Sequence, residues 1–313
     1  TSFFHLRHQQ GGTIISQGGK LRKIDTRTDS TLSAGVYGNW HPSGRFIAFS
    51  GNIIIPEFYA VHNKRMEVYD TSSDLFLLDI QKNEVISSPL LARADQLETF
   101  PEFSADGKTL FFCVADSVRL PDHYQLLKYR LCSISFDASQ QTFGEKIDTL
   151  FDAAALNRSV SEPKASPDGR FLLVTAFNYG TFPIWHTEAK LFMLNLATKA
   201  VDTLTNINTN HYSNSYHSWS ANSRWFVFAS KREDGLYGKP YFAYVDENGT
   251  VAKPFVLPQK DPGFYDNFLK SFNIPELFER GNTFDFSDIE KIFEQPAEKV
   301  RFRTENEQES LNR

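Results

Sequence analysis

Cysteine is almost missing from this chain of 313 residues, which has only Cys113 and Cys132. Two cysteines cannot staple a disulfide miniprotein or fill a four-cysteine zinc site. Both sit in apolar, strand-like runs, Phe111-Phe112-Cys113-Val114 and Leu131-Cys132-Ser133-Ile134. Two buried free thiols on neighbouring strands are the expectation, since free cysteine packs as a small hydrophobe. A block of Lys and Arg is missing too, and the net charge is −5. That excludes the basic stripe on which nucleic-acid binding depends. No apolar run approaches the roughly 18 residues of a membrane-spanning helix. The first residues, Thr1-Ser2-Phe3-Phe4, include neither a Met nor a basic-then-apolar leader, and the reading is of a trimmed product.

Catalytic signatures are equally scarce. The chain has no Gly-x-Ser-x-Gly elbow and no Gly-x-x-x-x-Gly-Lys phosphate loop. Asp106-Gly107 and Asp168-Gly169 lack the alternating acidic ligands and closing Glu of a calcium loop. They read as turns, with Asp bonding its own backbone and Gly supplying positive φ.

Aromatics are abundant, with 29 Phe and 12 Tyr. Their flat rings suit the pleated face of a strand. They fall into a repeat: a tight polar turn followed at once by an apolar strand. The copies are Trp40-His41-Pro42-Ser43-Gly44-Arg45-Phe46, Phe103-Ser104-Ala105-Asp106-Gly107-Lys108-Thr109, Ala165-Ser166-Pro167-Asp168-Gly169-Arg170-Phe171 and a worn Trp219-Ser220-Ala221-Asn222-Ser223-Arg224-Trp225. Aligned on Gly44, Gly107, Gly169 and Ser223, they recur every 63, 62 and 54 residues. A near-fixed period marks a repeat architecture. Each unit then runs through a variable loop, a second apolar strand and a short outer strand. Four strands per repeat is the plan of a β-propeller blade, which buries its faces by stacking on its neighbours. Trp40, Phe103, Ala165 and Trp219 share one aligned position and are read as core between blades.

The N-terminal stretch holds a hairpin, Gly12–Ser16 and Lys20–Asp25 about Gly18-Gly19, and reads as a blade whose first strand is missing. The fold expected is therefore an all-β propeller over residues 1–278, with four complete blades and a partial one, five or more in the ring. Residues 272–278 are the candidate to complete the partial blade, because Pro275 and Phe278 echo Phe100-Pro101-Glu102-Phe103. Residues 279–313 read as a short helix, capped by Ser287 with Glu290 three residues on, and a charged, disordered tail from Pro296.

Two sets of side chains stand out as candidate binding groups. His186, His211 and His217, beside Trp185, Tyr212 and Tyr216, could converge on a transition metal, although their spacing matches no metal template. The bland alternative has them fixing loops and blade corners. Asn39, Glu102, Lys164 and Ser218 occupy the position before the core aromatic, and strand alternation points them away from it, toward the axis. Their mixed charge suits a hydrated tunnel more than an acid/base pair. Long aromatic loops at 52–73, 115–130 and 178–189 offer contacts to a protein, a glycan or a peptide.

The Ser-Pro-Asp-Gly-Arg turn resembles the repeats of TolB-type propellers. Trp40-His41-Pro42-Ser43-Gly44, Phe182-Pro183-Ile184-Trp185-His186, Ser215-Tyr216-His217-Ser218-Trp219-Ser220 and Leu257-Pro258-Gln259-Lys260-Asp261-Pro262 resemble a TolB-like envelope family of Bacteroidetes over residues 4–278. The resemblance implies a periplasmic or lipid-anchored, non-enzymatic protein that works through protein contacts. Members of that family often carry a haem-attaching Cys-x-x-Cys-His segment. This sequence has none, so no cofactor is expected. A metal-assisted carbohydrate-active enzyme, built on the three histidines, is the rival reading.

Overall fold

In the computed structural model, residues 2–6, 11–60, 66–272, 274–279, 281 and 284–303 are described, with 2–6 and Phe286 as backbone only. Their strands assemble into five sheets in chain order. The first contains β1 (Ser2–Leu6), β2 (Gly12–Gln17) and β3 (Lys20–Asp25). The second contains β4 (Gly35–Trp40), β5 (Phe46–Phe58), β6 (Met66–Asp79) and β7 (Glu84–Ile86). The third contains β8 (Gln96–Phe103), β9 (Thr109–Asp116), β10 (Arg130–Asp137), β11 (Thr142–Phe143) and β12 (Asp148–Phe151). The fourth contains β13 (Ser159–Ala165), β14 (Phe171–Phe177), β15 (Lys190–Asn195) and β16 (Val201–Asp202). The fifth contains β17 (Asn214–Trp219), β18 (Trp225–Ser230), β19 (Lys239–Tyr244) and β20 (Phe255–Val256). Within each unit the strands meander antiparallel, which is the expected propeller blade.

Strand alternation explains how the blades stack. Phe46 and Ala48 of β5 face one way, into a cluster with Phe103, Leu110, Phe112 and Phe136 of the third sheet. Ile47 and Phe49 face the other way, onto Ile15 and Ile24 of the first. The third sheet meets the fourth through Phe111, Cys113, Leu172 and Val174, and the fourth meets the fifth through Leu173, Met193, Phe226 and Phe228. Each central strand is buried on both faces, at ~25 cal/mol per Å² of apolar surface. Trp40, Phe103, Ala165 and Trp219 each join a different one of these four clusters, as inter-blade core should. Cys113 and Cys132 are free and buried. They sit on the paired strands β9 and β10, but Cys113 faces the fourth sheet and Cys132 the second.

The repeated turn has one geometry in all four copies. The N–H before the turn meets the carbonyl after it, as in Ser104 to Thr109 and Ser166 to Phe171, at 2.9 and 2.8 Å. Gly44, Gly107 and Gly169 take φ of 68°, 72° and 74°, and Ser223 takes 57° in the worn copy. Asp106 and Asp168 accept from the N–H two residues on, at 3.0 and 3.1 Å, so their carboxylates serve the turn.

Three C-terminal expectations need correction. Helix α1 (Phe286–Phe293) is capped by Asp285 and Asp288 in a reciprocal box, two residues before the Ser287/Glu290 pair. Asp285 already accepts from Asp288 N at 3.1 Å, so Ser287 falls inside the first turn. The segment from Pro296 is not a loose tail throughout. β21 (Glu298–Lys299) pairs parallel with β3, and β22 (Arg301–Phe302) pairs parallel with β7. Charge pairs hold it there: Arg22 with Glu298, Lys299 with Asp25, and Arg301 and Arg303 with Glu84. Residues 304–313 of the predicted tail lie outside the described residues. Lastly, the first blade does not lack its first strand: β1 fills that edge, β21 supplies the fourth strand, and 274–278 adds none. It lies instead against the fifth, with Leu277 N donating to Ser218 Oγ at 3.5 Å.

Candidate functional site

The first strands of the second to fifth sheets stand side by side, and each carries the same irregularity. Tyr37, Phe100, Glu162 and Tyr216 are left-handed, with φ of 51°, 53°, 58° and 48°. All four sit two positions before the girdle set Asn39, Glu102, Lys164 and Ser218 predicted from the sequence. A left-handed conformation costs a bulky residue of order 1–3 kcal/mol. Here it coincides with a shift of register against the neighbouring strand in each sheet. Bulges of this kind re-aim side chains.

The girdle residues reach from one blade to the next. Asn39 Oδ1 accepts from Phe103 N at 2.8 Å, and its Nδ2 donates to Glu102 Oε2 at 2.6 Å. Glu102 Oε1 accepts from Ala165 N at 3.1 Å, and Lys164 Nζ donates to Glu102 Oε2 at 3.0 Å. Ser218 meets Leu277 N in the same relation. The predicted set is thus brought together, but as a stitch between inner strands. Burial opposes the Lys164 charge, yet Glu102, Glu276 and Glu162 hold its pKa above the usual lysine value.

Sequence reading missed Glu162, because nothing in Ser161-Glu162-Pro163-Lys164 announces a left-handed acid. Glu162 is 7 % exposed. Its Oε2 accepts from Tyr216 N at 2.9 Å and from Thr175 Oγ1 at 3.1 Å, while Oε1 makes no hydrogen bond among the described residues. Burial pushes this carboxyl up to about 7, against hydrogen bonds that favour the ionised form.

The three aromatic segments do converge, although 52–73 is a hairpin arm of β5 and β6 where a loop was expected. His186, 5 % exposed, lies between two carboxylates, Nε2 to Glu67 Oε1 and Nδ1 to Glu188 Oε1, each at 2.9 Å. Burial disfavours its charge, but the two carboxylates outweigh it and raise its pKa. Glu67 comes from the long β5–β6 arm, so this bond ties the second blade to the fourth. Around it runs a chain of rings: Tyr69–Tyr124 at 5.0 Å, Tyr124–Tyr179 at 5.2 Å and Tyr179–His186 at 4.6 Å. Tyr59 adds a hydroxyl contact to Tyr69 at 3.2 Å. Deeper in, Asp70 accepts from Asn52 at 2.8 Å and Tyr129 at 3.2 Å, and burial raises it to about 6. The Lys231 ammonium sits over the Trp185 ring, 2.8 Å from its centre.

The histidines are not brought together. His186 has both nitrogens engaged by carboxylates, and His211 is exposed on the loop before β17. His217 is buried within β17, where desolvation holds it neutral with a pKa of about 3. Among the described residues no group of three His, Cys, Asp or Glu side chains is placed to hold a metal ion. The rival convergence of His186, His211 and His217 on a metal is therefore not formed: two are buried in separate surroundings and His211 is exposed. A groove of about 510 Å³ opens between the second and third blades and one of about 790 Å³ between the third and fourth, both away from these loops.

No protein-family model matches the chain, and no curated protein matches it. Among solved structures it is similar to a puromycin-hydrolyzing peptidase of Mycobacterium tuberculosis, at 14 % identity and TM-score 0.45, over 80 % of this chain and 35 % of that one. It is similar to a protein described as TolB from Agrobacterium tumefaciens, at 14 % identity and TM-score 0.40, over 76 % and 84 %. It is likewise similar to an oligogalacturonate lyase from Vibrio parahaemolyticus, at 11 % identity and TM-score 0.47, over 79 % and 60 %. The chain spans about a third of the length of the peptidase it matches.

Proposed function

We propose that this chain is a non-enzymatic propeller scaffold of the bacterial envelope that binds a protein partner through the loop ends of its second, third and fourth blades. The observation that carries this reading is the Glu67–His186–Glu188 bond with its tyrosine chain, which locks loops from three blades into one fixed surface. A preorganised surface loses little entropy on binding. Apolar side chains stand out beside it: Phe58 is 78 % exposed and Leu126 64 %. Tyrosines with exposed apolar neighbours are the composition of a binding surface. The envelope location rests on the sequence resemblance, and supports a periplasmic or outer-membrane-associated partner.

The test is affinity purification of the full protein from its own envelope in mild detergent, beside a Phe58→Ser/Leu126→Ser variant. A partner held in fixed ratio by the native protein and lost by the variant is the expected result. A native protein that comes off alone overturns the reading.

A further inference from the structure

Around Lys164 the inner strands bring Glu102 and Glu162, and the C-terminal segment brings Glu276, so that three carboxylates face one ammonium. Glu102 is satisfied by Lys164, Asn39 and the Ala165 N–H. Glu162 is not. Among the described residues its Oε1 is buried without a hydrogen bond, and so are the hydroxyls of Ser161 beside it on β13 and of Ser215, aligned with Ser161, on β17. A buried polar atom left unpaired costs about 1–3 kcal/mol, so three of them on adjoining strands call for a ligand with several donors. The same left-handed row supplies aromatic faces. Tyr37 and Phe100 lie ring to ring at 4.3 Å, and Tyr216 donates its backbone N–H to Glu162 Oε2 at 2.9 Å.

Accordingly, we propose that Glu162, with Ser161, Ser215 and the Tyr37–Phe100–Tyr216 row, forms a binding site for an organic cation, namely a lysine or arginine side chain presented by the protein partner. An ammonium or guanidinium carries the donors that these oxygens lack, and aromatic faces attract such cations. A metal ion fits less well, since one carboxylate and two hydroxyls fall short of the six or more oxygens a hard cation takes. This inference rests on the scaffold reading for the source of the cation, though not for the site.

The probes are agmatine and n-butylamine, stand-ins for the two side chains, followed by ligand-observed NMR and by the melting temperature of the full chain. Saturable binding of at least one is expected. Glu162→Gln should weaken it at least about tenfold, because the neutral amide keeps shape but not charge. Lys164→Met should strengthen it, because the competing cation is gone. These opposite signs separate a binding effect from a folding effect. No saturable binding, or equal binding by Glu162→Gln, overturns the proposal, as does displacement of the amines by calcium or manganese. If a partner is retained in the envelope experiment but neither amine binds, the scaffold stands and the cation site falls. If the amines bind and no partner is retained, the site stands and the scaffold falls.

Discussion

The two ends of the blades solve the same problem in opposite ways. On the turn side, four copies of one short motif close each blade with local hydrogen bonds, two to five residues apart. Adjacent turns then touch in a regular manner: His41 Nε2 meets the Gly107 carbonyl at 3.1 Å, and Asp168 N meets Ser223 Oγ at 2.9 Å. On the loop side nothing repeats. There the second and fourth blades are joined by bonds without a period, chief among them the buried one between Glu67 and His186, 119 positions apart, with Tyr179 Oη donating to Glu67 Oε2 at 3.4 Å beside it. Regularity makes the turn side stable and dispensable copy by copy. Irregularity makes the loop side specific, and places its order in a few ionisable groups.

The largest expected break is on the loop side. Glu67→Ala leaves His186 buried with half its compensation, and should cost about 3–5 kcal/mol in a denaturant titration, as breaking buried pairs does. The same bond predicts a pH dependence. His186 is raised in the folded state, so its contribution is fully present below the ordinary histidine value of about 6.5 and fades as pH rises through the folded one. Stability curves at several pH values should show this fall in the native protein and lose it in Glu67→Ala.

Next comes the turn side. At Gly107 an added Cβ would lie 2.3 Å from His41 Nε2, and φ is already 72°. The His41 ring cannot retreat, being wedged edge-on against Phe46, Phe103 and Phe136. Gly107→Ala should therefore cost about 2–3 kcal/mol, whereas Gly18→Ala, with nothing within 4 Å, should cost only its backbone strain. Equal losses at the two positions would show that the turns do not pack against one another.

Glu162→Gln is expected to move stability the other way. The native carboxyl titrates at about 7 when folded and near 4.3 when unfolded. Its contribution is complete below the lower value and disappears as pH rises through the higher one. Above that, the amide variant should be more stable than the native protein by about 1–3 kcal/mol, with no gain at acid pH.

The smallest effect sharpens the comparison most. Ser223→Gly relieves a left-handed serine, worth about 1 kcal/mol, but removes the hydroxyl that accepts from Asp168 N. A net change below about 0.5 kcal/mol is expected in thermal unfolding, a hydrogen bond being worth about as much. A full gain would mean that the bond between the turns of the fourth and fifth blades contributes nothing.

This contrast also explains what could be read in advance. The turns are legible because their chemistry is local: Asp106-Gly107 and Asp168-Gly169 name their own conformation, and the apolar runs after them name their strands. Asn39, Glu102 and Lys164 were legible as a set because the repeat aligns them, although their bonding across blades was not. Glu67 lies on the arm of β5 and β6 and His186 in the loop after β14, neither at a repeated position, and no local pattern joins them. Tyr37, Phe100, Glu162 and Tyr216 differ in chemistry, so the backbone bend they share leaves no trace in residue type. β21 and β22 are two residues each, too short for alternation to show, and their charges read as a solvated tail.

Those short strands have a consequence for the order of assembly. Ring stacking and hairpins bring near neighbours together, but β3 must wait for a partner 274 positions away, and β7 for one nearly as distant. Until residues 298–303 arrive, the outer edges of the first two sheets stand bare, and bare edges invite strands from other molecules. The buried Arg303 at Glu84 marks the moment when that exposure ends.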